Sequence, residues 1–398
     1  MVNGRGNSIL NGADSRSWLL DELAARTGGI PQLYRAPGRV NIIGEHTDYT
    51  GGFVLPTTTA VYTWIAASPR TDRTITVKSL NLDDEHSFDL DDIKRSEKPE
   101  WFDYIKGVAA LLQLSNIRLQ GADFVIDSDI PIGGGLSSSA ALEVVFATGF
   151  LDIANASMSK AEISQLCQRA EIEYAGVNCG VMDQFAITSC KHGNAVLLDC
   201  RSLEAKHVRL PDSICFLITD SGVKHKLPEG EYNQRTEECA IATKLLAEKF
   251  SELKALRDLD SRDLEGCRTL LGDTLYRRCR HVVSENQRVL DACTALQCAD
   301  ATKLGELISE SHTSLKHDFE VSCDEVDSLV NIADSCDGVL GSRMIGAGFG
   351  GCVLSVTEKD KIESAISQIS KDYEKVTGCE PWMHIVTATD AAKKIGVA

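Results

Sequence analysis

A protein of two domains, mixing strands with helices, is what the sequence predicts, and three observations predict it. Its 398 residues point to two cores rather than one. A hydrophobic share of 43% is enough to fill them. Strand-like and helix-like periodicities alternate along the whole length, with no internal repeat and no low-complexity tract. The boundary is expected near residues 203–211, giving segments 1–206 and 207–398.

Taken in order, Trp18, Leu19 and Leu23 predict a short opening helix that ends at Gly28-Gly29. From there to about residue 80 the texture is β-like: Val61 to Ile65 is nearly all β-branched or aromatic, and Thr74-Ile75-Thr76-Val77 alternates. The acidic residues 83–92 read as a solvated hairpin or loop. Tyr104, Ile105, Val108, Leu111 and Leu112 mark a helix, and Phe124-Val125-Ile126 a strand. Leu142, Val145, Phe146, Gly149, Phe150 and Ile153 then have the spacing of an amphipathic helix. Ser159-Lys160-Ala161-Glu162 is a capping-box pattern opening another helix, whose face carries Ile163, Leu166, Cys167, Ala170 and Tyr174. Beyond residue 210 the pattern gives a strand at Cys215 to Ile218, a long helical stretch, and a second capping box at Ser322-Cys323-Asp324-Glu325. The end of the chain reads strand (Cys352 to Val356), helix, strand (His384 to Val386).

Charge and cysteine usage exclude several function classes. A net charge of −17 disfavours a nucleic-acid surface. An acidic protein that takes an anionic ligand must hold it with local donors and a metal. The fourteen cysteines form no Cys-x-x-Cys pair, which argues against structural zinc. They read as reduced thiols of a cytoplasmic protein. Residues 1–6 lack the apolar core of a secretory signal, and no apolar run reaches membrane-spanning length.

Three stretches could carry chemistry. Residues 36–52 offer a guanidinium (Arg39), two carboxylates (Glu45, Asp48), an imidazole (His46) and a phenol (Tyr49) among glycines. Each carboxylate can accept from vicinal hydroxyls, so the segment suits a polyhydroxylated ligand; a polar loop with a surface ion pair is the plain alternative. Residues 131–140, Pro131-Ile132-Gly133-Gly134-Gly135-Leu136-Ser137-Ser138-Ser139-Ala140, lie between strand and helix. Glycines let backbone N–H groups approach an anion, and the helix aims its positive end at the same point. Three consecutive serines exceed what one helix cap needs. No Gly-Lys-Ser or Gly-Lys-Thr occurs, which excludes the commonest nucleotide loop. A serine oxygen with a distant carboxylate would suit Mg²⁺, and periodicity leaves Glu171 and Glu173 both open for that role. Residues 346–351 spell Gly-x-Gly-x-x-Gly, but a strand follows where a dinucleotide site needs a helix. A glycine-lined turn packed against another backbone fits better than a dehydrogenase site.

The three stretches, in this order, resemble the signature motifs of the small-molecule kinases of the GHMP superfamily. Within it, Gly38-Arg39-Val40-Asn41-Ile42-Ile43-Gly44-Glu45-His46-Thr47-Asp48-Tyr49 resembles the galactokinase signature nearly residue for residue. The similarity extends to Pro99-Glu100-Trp101, Gly180-Val181-Met182-Asp183-Gln184 and Glu310-Ser311-His312. It implies an α+β, two-domain fold with the active site in the interdomain cleft. It also implies ATP-dependent phosphorylation of the anomeric hydroxyl of galactose, with ATP and Mg²⁺ as cofactors and no obligate protein partner. Carried over by position, Asp183 is the catalytic base and Arg39 its partner. Glu45, His46, Asp48, Gly180 and Tyr232 hold the sugar. Gly133, Gly134, Gly135, Ser137, Ser138 and Ser139 cradle the phosphates, Ser138 or Ser139 with Glu171 holds Mg²⁺, and Trp101 lies against adenine. Kinases for N-acetylgalactosamine, galacturonate or arabinose are the near alternatives. A galactose sensor without turnover is a further one, although such relatives lose residues from the serine-rich loop, and here it is complete.

Overall fold

The computed structural model describes residues 16–131, 133–223 and 228–396; the opening residues 1–6 and Ile132 lie outside them. Helix α1 (Trp18–Thr27) buries Leu19 and Leu23 and ends at Gly28, as its sequence predicts. β1 (Gln32–Asn41) follows, then β2 (Phe53–Val54) and the long β3 (Pro56–Pro69). β4 (Thr74–Ser79) and β5 (Asp84–Asp89) pair as a hairpin, of which the acidic residues 83–92, expected as a solvated hairpin or loop, supply the second strand. Then come α2 (Asp103–Leu114), β6 (Ala122–Ser128), α3 (Ser138–Ile153), and α4 (Lys160–Ala170) running into a π turn at Glu171–Ala175. α5 (Met182–Ser189), β7 (Asn194–Asp199) and β8 (Ala205–Arg209) close this half.

A six-stranded sheet organises the first half. Its order is β1 beside β3, then β6, β4 and β5, with β4 parallel to β6 and the other pairs antiparallel. One face packs on α1 through Leu33, Trp64, Ala66 and Val125. The other packs on α3, which also touches α2, α4 and α5. α3 is therefore buried nearly all round rather than on one stripe, and its Glu143 is fully buried. The register of β1 against β3 slips between Pro37 and Gly38, one residue before Arg39. Such a bulge re-aims the side chain that follows it.

β9 (Ile214–Asp220) opens the second half, followed by α6 (Pro228–Ala247), α7 (Ser261–Glu265) and α8 (Arg268–Gln297), which is broken at Gly272. α9 (Ala301–Ser314), α10 (Asp324–Asp334), β10 (Val339–Met344), β11 (Cys352–Glu358) and α11 (Ile362–Thr377) lead to β12 (Met383–Ile385) and β13 (Lys393–Ile395). The second sheet runs β10, β11, β9, β12. β13 pairs back onto β1, so the last strand completes the first sheet. A small third sheet, β2, β7, β8, carries α5 on a core of Val181, Met182, Phe185, Val196 and Leu198.

The two capping boxes read from sequence fare differently. Ser159 and Glu162 form theirs reciprocally. At α10 the residue before the helix is Cys323, without a side-chain cap, and the Ser322 hydroxyl instead donates to Asp327 at 2.5 Å. An acceptor one turn into the helix outcompetes the cap.

Candidate active site

Arg39 and Asp183 form the centre. The guanidinium donates from Nε to Asp183 Oδ1 at 2.6 Å and from Nη2 to Oδ2 at 2.5 Å, a two-pronged ion pair. Its third arm, Nη1, donates to Gly135 O at 2.5 Å. The bulge in β1 aims Arg39, and the start of α5, seated on the third sheet, carries Asp183. The Ser137 hydroxyl donates to Asp183 Oδ2 as well. Ser137 therefore does not cap α3, although it precedes it, and its backbone is left-handed at φ +57°. A carboxylate has about four acceptor sites. Three are taken here, and the remaining one is on Oδ1.

Asp48, His46, Gly180 and Tyr232 gather near this pair. A Cβ placed on Gly180 would lie 2.1 Å from Asp48 Oδ2, so only glycine lets the carboxylate stand there. Burial, and then the charge of Asp183, push the Asp48 carboxyl up to about 7. His46 donates or accepts at Nδ1 with the Tyr49 hydroxyl at 3.0 Å, and its ring packs on Tyr232 (5.5 Å between centroids) and Phe319 (4.7 Å). Burial pulls the His46 imidazole down to about 3, so it is neutral at working pH.

Glu45 is buried and largely committed within the protein. It accepts from Asn41 Nδ2 at 3.0 Å, Arg343 Nη2 at 3.1 Å and the Gly346 N–H at 3.0 Å. It thereby ties the first glycine-flanked segment to the late glycine run. Arg343, fully buried, also donates to the carbonyls of Asn41, Ile42 and Met344. Behind the same segment, α8 supplies Glu285 to the Gly44 N–H (3.0 Å), Asn286 to the Phe53 N–H (2.7 Å) and His281 against Glu45 O (3.1 Å). Sequence reading missed these supports. Their partners lie more than two hundred positions away, and no local periodicity links them.

The late glycine run packs on the serine-rich loop, the close backbone approach its composition suggested. Gly135 faces Ile345, and Cys352 Sγ donates to Gly134 O at 3.0 Å. Gly135 sits at φ +71° and Gly133 at φ +75°. Beyond the loop, Ser139 stands near Glu171, whose carboxyl is pushed up to about 7 by burial and then by Asp183. Glu173 is exposed and pairs with Arg169, which separates the two glutamates that periodicity left open. Ser139 and Glu171 are hard oxygen donors of the kind Mg²⁺ takes, with water and phosphate completing the set. No group of three or more acidic, histidine or cysteine ligands occurs among the described residues. Ser138 begins α3 beside them.

Trp101 stands in a separate aromatic group at the head of α2. Its indole N–H donates to Asp84 Oδ2 at 3.0 Å, and its ring meets His86 and Phe102 edge-on. With the N–H so engaged, the half-buried ring offers a ligand its face rather than a donor.

The chain is similar to known proteins over most of its length. Residues 24–69 match the galactokinase galactose-binding signature, 103–191 the GHMP kinases N terminal domain, and 290–375 the GHMP kinases C terminal domain. The chain is 44% identical over 347 residues to the galactokinase of Chloroflexus aggregans, covering 87% of this chain and 89% of that one. It is 41% identical over 363 residues to that of a Roseiflexus species, covering 91% and 93%. Among solved structures it is similar to Lactococcus lactis galactokinase complexed with galactose, with a TM-score of 0.91 and 34% identity over 95% of this chain and 99% of that one. A mevalonate kinase at 17% identity and a TM-score of 0.63 shares the fold. The fold is thus the α+β GHMP kinase fold, and the chain belongs to the galactokinase family.

Proposed function

We propose that the protein transfers the γ-phosphoryl group of ATP to the anomeric C1 hydroxyl of galactose. The observation that carries this reading is the free acceptor site on Asp183 Oδ1, on a carboxylate paired with the Arg39 guanidinium and set between the Asp48 pocket and the serine-rich loop. Phosphoryl transfer passes through a loose transition state, so alignment and charge neutralisation dominate catalysis. Asp183 aligns the attacking hydroxyl and is placed to take its proton. Arg39 fixes the Asp183 carboxylate through its two-pronged contact and offsets developing charge.

Asp48, His46, Tyr232 and the remaining acceptor site of Glu45 hold the sugar, with Gly180 leaving room for Asp48. The backbone at Gly133, Gly134 and Gly135, with Ser137, Ser138 and Ser139, receives the phosphates, and Trp101 lies against the adenine ring. Ser139 and Glu171 would hold Mg²⁺, which when bound would neutralise phosphate charge; the nearness of Ser139 to Glu171 supports Ser139 over Ser138 for that role. The passage from β8, which ends the small third sheet at Arg209, to β9, which opens the second at Ile214, supports a division close to the expected 203–211 stretch and a few residues beyond 206/207, a cut that would fall within β8. None of the fourteen cysteines takes part in a disulfide, which supports a reducing, cytoplasmic location. No helix of the described residues is long and apolar enough to cross a membrane.

Asp183→Asn tests the assignment. Turnover is expected to fall at least ~100-fold, the scale of general-base and orientation effects, while calorimetry still detects galactose and ATP binding. Near-normal turnover in the folded variant would remove Asp183 from its role.

A further inference from the structure

Gln184, immediately after Asp183, is fully buried, and the phosphotransfer reading gives it no part. Its Nε2 donates to two carboxylates on different elements: Glu171 Oε2 at 2.7 Å, at the end of α4, and Glu143 Oε2 at 3.0 Å, in the middle of α3. Glu143 is itself fully buried and stands four residues after Ser139, hence on the same face of α3. Two buried oxygens of this group have no hydrogen-bond partner among the described residues, Glu143 Oε1 and Gln184 Oε1.

Both orphans are acceptors as long as Glu143 is ionised, and two buried unsatisfied acceptors in one partnered pair are costly. A proton on Glu143 Oε1 removes both defects together. The acid O–H then donates to Gln184 Oε1, while one amide hydrogen donates back to Glu143 Oε2, closing an acid–amide ring. The second amide hydrogen is left aimed at Glu171. In this arrangement every polar atom of the pair has a partner, and the carboxamide cannot flip without losing two bonds.

We propose that Gln184 is a positioning residue that orients Glu171 toward Ser139, and that a neutral Glu143 locks the Gln184 carboxamide in the required direction. This rests on the reading of Glu171 as a metal ligand. Burial, and next the charge of Glu171, hold the Glu143 carboxyl well above the usual range, in keeping with the neutral form. The consequence is electrostatic as well as geometric. The site presents the charges of Glu171 and Asp183 without a third carboxylate behind them, and a ligand carboxylate fixed by a hydrogen-bonded neighbour binds metal better than a free one.

The test is Mn²⁺ binding to the full chain in the presence of a non-hydrolysable ATP analogue, with free Mn²⁺ read by electron paramagnetic resonance. Gln184→Met is expected to weaken Mn²⁺ binding ~10-fold and to raise the Mg²⁺ concentration for half-maximal turnover to match, with galactose affinity unchanged. Glu143→Ala should weaken Mn²⁺ binding similarly. Glu143→Gln should restore it to within about two-fold, because an amide closes the same ring without charge. Glu143→Gln and Gln184→Met keep the side-chain volume, so the test stands if Glu143→Ala does not fold. Unchanged Mn²⁺ binding in Gln184→Met, or Glu143→Gln as weak as Glu143→Ala, overturns the proposal. Glu171→Gln separates the two layers. If it too binds Mn²⁺ normally, the metal-ligand reading fails and takes this inference with it, whereas loss of binding in Glu171→Gln alone sinks only the role of Gln184.

Discussion

At the scale of single residues, the site is built from groups whose ionisation is set first by burial and then by neighbouring charges. Asp48 titrates near 7 in the free protein because burial and Asp183 oppose its charge. A sugar hydroxyl donating to Asp48 favours the ionised form, so binding must release a proton at pH values below about 7. Galactose affinity is therefore expected to tighten as pH rises toward about 7 and to level off above it, while Asp48→Asn binds more weakly and loses that slope. Calorimetry in buffers of different ionisation enthalpy checks both points. Affinity that weakens as pH rises through the same window would mean that a neutral Asp48 donates to the sugar instead. The lowered His46 adds no slope above about 4, since it is already neutral there.

At the scale of elements, the serine-rich loop shows what local sequence can and cannot specify. Its glycines, its place between β6 and α3, and the strand after the late glycine run were all legible, because each follows from spacing within about ten residues. The burial of α3 was not. Periodicity finds one apolar stripe, but Glu143 lies off that stripe and is buried by α4 and α5, which arrive later in the chain. Likewise Ser159 caps its helix as read, whereas Ser322 is drawn to Asp327. The loop itself yields a test. At Gly135 a Cβ meets only ordinary contacts with Ile345 at 3.6 Å, so the difficulty is its φ of +71°, which a β-branched residue adopts poorly. Gly135→Val is expected to shift the loop and weaken Mg·ATP binding at least ~10-fold, at a conformational cost of about 1–2 kcal/mol, with galactose binding preserved. Unchanged Mg·ATP affinity by calorimetry would make the loop a structural turn.

At the scale of the molecule, the site exists only because distant parts of the chain meet. Arg343, at the end of β10, satisfies the carbonyls at the end of β1 and pairs with Glu45, 298 positions away. β13 returns to pair with β1. None of this could be read from a single sequence, since a buried arginine inside a strand has no periodic signature. The resemblance of its motifs nevertheless placed Arg39, Asp183, Asp48, Gly180 and Glu171 on one list, and the fold brings those five together. Removing one partner of a buried ion pair costs ~3–5 kcal/mol, because the other charge is left unpaired. Arg343→Met should thus lower the thermal denaturation midpoint by several degrees and raise the KM for galactose through the freed Glu45. A variant as stable as the parent would show that Glu45 finds other donors.

The most direct test of the central claim is an ADP-release assay across a panel of galactose, glucose, N-acetylgalactosamine, galacturonate and arabinose with Mg·ATP. On the proposed reading Glu45 and Asp48 accept hydrogen bonds from the sugar, so they should repel a carboxylate at C6 and leave a buried acceptor unpaired when the C4 hydroxyl is inverted, a loss of roughly 1–3 kcal/mol or more. The expected order is galactose first by kcat/KM, glucose poor, and galacturonate rejected, with the product phosphorylated at C1. A higher kcat/KM for galacturonate or N-acetylgalactosamine than for galactose would contradict the substrate assignment, and no ADP release with any of the five would contradict the kinase itself.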